Sequence, residues 1–253
     1  MLSIFLLCLF AFLAGFIDAM VGGGGLIQLP AFFILQPQYT LVQTLATNKT
    51  ASFFGTSVAA ARYIGKVALD WKHLAVAMAA AFAGAFSGAL LVSRINKEDF
   101  MPFIITALVL VLLYTLFKRE LGVHHVEKKL SERKYFLYAL AGGGVIGFYD
   151  GLIGPGTGSF LIFSFVMLFG YNFLHASANA KLVNCVTNIA ALSLFLVQGH
   201  IVWKVALPLG AANMLGNYAG SHLALRKGSR FIRVFFIVVV SVLILKLGID
   251  YLS

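Results

Sequence analysis

Charge is scarce in this chain. Of 253 residues, 11% are Asp, Glu, Lys or Arg, against 60% hydrophobic. That balance excludes a soluble domain. Cysteine is nearly absent: Cys8 and Cys185 each lie inside an apolar run, which argues against a structural disulfide framework and leaves the redox compartment open. No Gly-Lys-Ser/Thr follows the glycine-rich stretches, so a nucleotide-type phosphate loop is missing. Nucleophile elbow and metal-ligand set are missing too. The six histidines show no metal spacing: His124 and His125 fall in a charged stretch, His73 and His200 at loop ends, and His175 and His222 read as structural or interfacial. An enzyme is disfavoured, and neither cofactor nor metal is expected. Acidic residues are few, 9 against 19 basic, for a net charge of +10. Nucleic acid is one reading of that excess. In an apolar chain, basic residues gathered in cytoplasmic loops are the more ordinary cause, so the expected partner is a lipid bilayer and not a nucleic acid.

What the chain has in quantity is apolar runs of roughly 20 residues, the length that crosses a hydrocarbon core of about 30 Å. The first run lacks a basic leading region and a small-residue cleavage site, so it reads as a membrane segment and not a signal peptide. The spans are drawn at 2–20, 25–36, 40–62, 73–93 and 101–117. A polar stretch follows, and then 135–152, 158–170, 174–197, 203–225 and 231–250.

Between the first two spans, Gly15-Phe-Ile-Asp18-Ala-Met-Val-Gly22-Gly23-Gly24-Gly25 puts an aspartate and four consecutive glycines into apolar sequence. The stretch returns 132 residues later as Gly147-Phe-Tyr-Asp150-Gly-Leu-Ile-Gly154-Pro-Gly156-Thr157-Gly158-Ser159. The same offset relates Lys49 to Lys181, Trp71-Lys72 to Trp203-Lys204, Gly84 and Gly88 to Gly216 and Gly220, and Arg94 to Arg226. The fold class expected is therefore an all-α integral membrane protein of two repeats, 1–120 and 133–253, joined by a charged cytoplasmic linker at 118–134.

If each glycine break is the tip of a hairpin followed by three full spans, the repeats have inverted topology. Loops 62–72, 118–134 and 226–233 then share the cytoplasmic side with thirteen basic residues, against four outside. If each break is a kink in one span, the repeats are parallel and the split is eleven to six. The Lys/Arg bias favours the inverted arrangement with both termini outside. Whether hairpin arms count as full spans decides between eight and ten helical segments.

Non-helical backbone inside a membrane is tolerated only where protein or a wet cavity satisfies it. In the hairpin model, two short helices begin in the membrane interior. Their N-termini present free N–H groups and the positive end of the macrodipole, which suits an anion. Gly23, Gly24, Gly25, Gly156 and Gly158 let a ligand approach those amides, and Thr157 and Ser159 add hydroxyls. The bland alternative is a tight turn with close helix contacts; Pro30 is an alternative start for the first short helix. Lys49 lies about 13–14 Å into its span at 1.5 Å per residue, and Lys181 sits similarly. Lys49, Ser52 and Thr56 share one helix face, as do Lys181, Asn184 and Asn188. Asp18 and Asp150 close the first hairpin arms, where a helix C-terminus disfavours negative charge. Each is either protonated or paired to a lysine, within its own half or crosswise. A carboxylate that changes protonation as substrate takes its lysine is a proton-coupling device. Asn213 and Asn217 either line the same cavity or hydrogen-bond between helices, and the paired glycines at 84/88 and 216/220 read as close-packing positions. Trp71 and Trp203 read as interface anchors.

The paired Gly-Phe-x-Asp-(Ala/Gly)-x-x-Gly-x-Gly signatures, with Ala46-Thr-Asn-Lys49 and Ala178-Asn-Ala-Lys181 downstream, resemble the sulfite exporter TauE/SafE family of membrane proteins. The likeness spans nearly the whole chain. It implies a bacterial inner-membrane permease for sulfite, organosulfonates or related organosulfur anions, often acting in export. The second copy departs from the first at Pro155 and Thr157, so the half-sites are not equivalent. The expected function is secondary active transport of a small anionic substrate, with proton-coupled export as one form of it. The alternatives are an anion channel and a membrane anion-binding sensor or scaffold. Oligomeric state is open, a homodimer included.

Overall fold

A computed structural model describes residues 2–92 and 130–252, with 109, 112, 113, 116 and 128 between them. The expected span 101–117 and the linker 118–134 therefore lie largely outside the described residues. What is described is helical: α1 (Leu2–Val21), α2 (Gly25–Leu35), α3 (Leu41–Tyr63), α4 (Trp71–Leu91), α5 (Glu132–Leu152), α6 (Thr157–Ser164), α7 (Phe173–Val197) and a last stretch Trp203–Leu252. A wide π turn, Phe165–Phe169, extends α6. The last stretch is two helices, α8 (203–227) and α9 (229–252), broken only at Gly228 with φ 75°. In place of the polar loop expected at 226–233 there is a one-residue elbow. Pro30 sits inside α2, which starts earlier at Gly25.

Local sequence explains the helix starts. Thr40 caps α3 in a reciprocal box with Gln43, and Asn172, its repeat counterpart, caps α7 through the His175 amide. Asp70 caps α4 and Ser131 caps α5 in the same way. Among the described residues, three helices, α1, α4 and α7, are long and apolar enough to cross a membrane. The surface confirms the solvent: Leu2, Phe5, Leu9 and Leu13 are exposed on α1, and Val234, Val238 and Val242 on α9, while Lys49, Asp150 and Lys181 are buried. A soluble domain has the opposite distribution.

Contacts fix the directions of the helices. Gly24 packs against Ala14, and the Gln36 side chain meets Ser3, so α2 doubles back along α1. Gly216 and Gly220 lie on Phe12 and Phe16, so α8 runs parallel to α1. Thr47 meets Val202, Gly55 meets Asn213 and Arg62 meets His222, so α3 also runs parallel to α8. Ser177 donates to Met20 O and Lys181 reaches Asp18, so α7 passes the end of α1 in the opposite sense. On the other flank, Ala77, Ala81 and Ala85 of α4 lie on Gly143, Gly147 and Gly151 of α5, again in parallel. The paired glycines 84/88 and 216/220 are close-packing positions as expected: a Cβ on any of them would enter a neighbouring backbone.

Candidate functional site

The site forms where both glycine breaks meet. α1 stops at Val21 because Gly22 and Gly23 turn left-handed, at φ 72° and 83°. Gly154 and Gly156 do the same after α5. At Gly22 there is no room for a side chain, since a Cβ would enter the backbone of Gly158 and Ser159. Each break is thus packed on the start of the other half's short helix. The Ser159 hydroxyl ties them by donating to Val21 O at 3.0 Å, and the Tyr149 hydroxyl donates to Pro155 O.

Beside this junction lies a small open-sided cavity of about 30 Å3. Its wall includes Asp18 of α1, Gly23 and Gly25 of the first break, and Asn48, Lys49 and Ser52 of α3. The second half adds Asp150 and Ile153, then Gly154, Gly156, Thr157 and Gly158, then Asn184 and Asn188 of α7. Both short-helix N-termini, Gly25 and Thr157, therefore open on one space. Thr157 Oγ1 donates to Gly154 O at 2.7 Å.

The ion pairs are crosswise. Lys49 Nζ lies 2.9 Å from Asp150 Oδ2, and Lys181 Nζ lies 2.6 Å from Asp18 Oδ2. The lysine side chains are 6% and 0% exposed, and the carboxylates 4% and 14%. Charges so buried persist only when paired, so each half's carboxylate depends on the other half's lysine.

Four of the expected ligand residues do not line the cavity. Gly24 is turned into α1, where a Cβ would lie 2.6 Å from Ala14 O. Ser159 spends its hydroxyl on Val21 O. Thr56 is fully buried, two turns past Lys49. Lys181 is covered and reaches the cavity only through Asp18. Asn213 takes the second of its two readings, its Nδ2 donating to Ala11 O at 3.2 Å and to Gln28 Oε1 at 3.0 Å, whereas Asn217 bonds within α8, its Nδ2 donating to Asn213 Oδ1 at 2.8 Å. Asn48, Ile153 and Gly154 line the cavity unforeseen. Asn48 had a signal, four residues before Ser52 on the same face. Gln28, a polar residue alone in an apolar helix, had one too.

The chain matches the family model described as Sulfite exporter TauE/SafE over residues 7–247. The chain belongs to the sulfite exporter TauE/SafE family. It is 36% identical over 241 residues to the probable membrane transporter protein YfcA of Escherichia coli (strain K12), covering 95% of this chain and 87% of that one. It is also 36% identical over 243 residues to the probable membrane transporter protein ORF9 of Sinorhizobium sp, at 95% and 90% coverage. A probable membrane transporter protein of Haemophilus influenzae is 36% identical over 225 residues, at 88% and 85%. No solved structure matches. As a TauE/SafE family member, the chain is a membrane transporter and not an enzyme.

Proposed function

We propose that this TauE/SafE protein is a secondary active transporter of a small oxyanion: sulfite, an organosulfonate or a related organosulfur anion. It works in the bacterial inner membrane, exports by proton coupling and has both termini in the periplasm. The observation that carries this reading is the convergence of two helix N-termini, Lys49 and two carboxylates on one cavity. With both pairs intact the site is neutral. Protonation of one carboxylate leaves its lysine without a counter-charge, and the site becomes positive beside the N–H groups of two helices. A small oxyanion fits that field.

Alternating access needs two units that rock about the site. The reversed sense of α7 against α1 and α3, with α2 doubling back along α1, supports two inverted-topology repeats, 1–120 and 133–253. The crosswise pairs would then be the contacts that break and reform as the halves move.

The test is thermal stability of detergent-purified protein with sulfite, thiosulfate, sulfate, sulfoacetate, taurine, lactate and chloride. A ligand at 100-fold over its dissociation constant stabilises by about 2.7 kcal/mol. Stabilisation by sulfur oxyanions, lost in Lys49→Ala, is the expected result. Equal response of wild type and Lys49→Ala would remove Lys49 from the site, and no response to any anion would refute the substrate class.

A further inference from the structure

This inference rests on the transport reading above and gives the two carboxylates different work. Asn213, Asn217 and Ser221 occupy one face of α8, at i, i+4 and i+8, and all are buried. The same positions of α4 are Ala81, Ala85 and Ala89. The α8 amides form a chain with Gln28, in which Asn217 donates to Asn213 and Asn213 donates to Gln28. Both ends of that chain are open. Gln28 Nε2 and Asn217 Oδ1 have no hydrogen-bond partner among the described residues, nor has Thr56 Oγ1. All three side chains are 0% exposed. A buried polar atom without a partner is costly, and neutral amides and hydroxyls are the donor and acceptor set that holds water.

The chain comes within one helical turn of cavity-lining residues on three elements. Gln28 is one turn beyond Gly25 in α2. Gly55, on which Asn213 and Asn217 pack, is one turn beyond Ser52 in α3. Gly15, against the same two asparagines, is one turn before Asp18 in α1. At the far end Ser221 adjoins the exposed His222, whose Nδ1 lies 3.2 Å from Arg62 Nη2. Asp150 has no counterpart route through the α4/α5 contact, because Gly143, Gly147 and Gly151 lie directly on alanine backbone.

We propose that the Asn213–Asn217–Ser221 face, completed by water, is the path by which protons reach the cavity, and that Asp18, not Asp150, is the carboxylate that exchanges them. In that step an O–H bond forms on Asp18. The Lys181 ammonium keeps its three protons and loses its counter-charge, and the proton returns to water when Asp18 re-pairs. The titratable and charged groups facing Asp18 are Lys181 from α7, Lys49 and Tyr63 from α3, and Asp150 from α5 across the cavity. Arg62 and His222 stand at the mouth of the path. The α8 side chains along the path itself are two amides and a hydroxyl, and His222 is the α8 titratable group at its mouth.

The test is infrared difference spectroscopy between acid and neutral pH on the purified full chain, read at the protonated-carboxyl band. The band is expected to vanish in Asp18→Asn and persist in Asp150→Asn. The reverse, or persistence in both, overturns the assignment. Since Asp18→Asn strips Lys181 of its partner, a second variant guards against misfolding: Asn213→Ala with Asn217→Ala, the residues α4 already carries. Transfer to heavy water should shift the band several-fold more slowly in that variant, and an unchanged rate overturns the path. Sulfite counterflow in liposomes is run alongside. Its absence in wild type with the spectra as expected would sink the substrate reading and leave Asp18 as the exchanging group.

Discussion

Two interfaces occupy equivalent places in the repeat and are built differently. Where α4 meets α5, alanines lie on glycines, and nothing polar intervenes along Ala77, Ala81, Ala85 and Gly143, Gly147, Gly151. Where α8 meets α1, the glycines 216 and 220 hold the same close spacing, but asparagines replace two of the alanines, and Asn213 reaches Ala11 and Gln28. Small residues set how near two helices come in a membrane, and polar ones add hydrogen bonds without widening the gap. The two contacts share the spacing and differ in chemistry.

The spacing is the harder thing to change. Gly84→Leu and Gly216→Leu should each cost more than the ~1–3 kcal/mol of ordinary overpacking, because the obstructing atoms are backbone. The expected result is loss of monodisperse protein in detergent for both, and survival of either one would break the equivalence of the two interfaces. Next come the ion pairs. Lys49→Met should lower stability by about 3–5 kcal/mol, the cost of leaving a buried carboxylate unpaired. Lys181→Met should cost less, because Asp18 is 14% exposed where Asp150 is 4%. Equal melting temperatures for the two would mean that the small difference in burial decides nothing.

Exchanging the chemistry sharpens the contrast. Ala81→Asn puts an amide where α5 offers only glycine backbone, and it should cost about 1–3 kcal/mol as a buried group without a partner. Asn213→Ala should cost nearer 1 kcal/mol, one net hydrogen bond. Denaturant titration separates them, and the reverse order would show that the α4/α5 contact is not dry.

Smallest is a cap found in one half only. Asp70 accepts from the His73 amide, and its repeat counterpart is Val202. Partial burial works against the charged carboxyl, but hydrogen bonds from the His73 ring and backbone outweigh it and hold Asp70 below its ordinary value. A carboxylate depressed in this way contributes stability above its unfolded pKa, about 3.9, and loses it as pH falls through the folded value. Asp70→Ala should therefore cost about 1 kcal/mol at neutral pH and progressively less below about pH 4. A penalty that does not change over that range would exclude the carboxylate.

Much of this was legible in the residues. The 132-residue echo of Gly15–Gly25, with Lys49 and Lys181 at the same offset, marked both breaks and the charged groups near them. Helix starts carry a local signal that spans drawn on apolar length do not use, the capping side chains of Thr40, Asp70, Ser131 and Asn172. Ser159 and Thr56 lie off the cavity wall, because helical spacing says which residues share a face and not what that face meets. Gly24 lies off it for a similar reason: four glycines in a row look alike until α2 folds back on Ala14.

The sequence by itself determined a membrane protein of repeated spans, the family and the inventory of buried charges, because apolar length, period and capping are local properties of the chain. Tertiary structure decided which lysine meets which aspartate and which residues the cavity sees. Those contacts join positions 101 and 163 residues apart. Their register depends on how helices cross, and no local pattern along the chain encodes that.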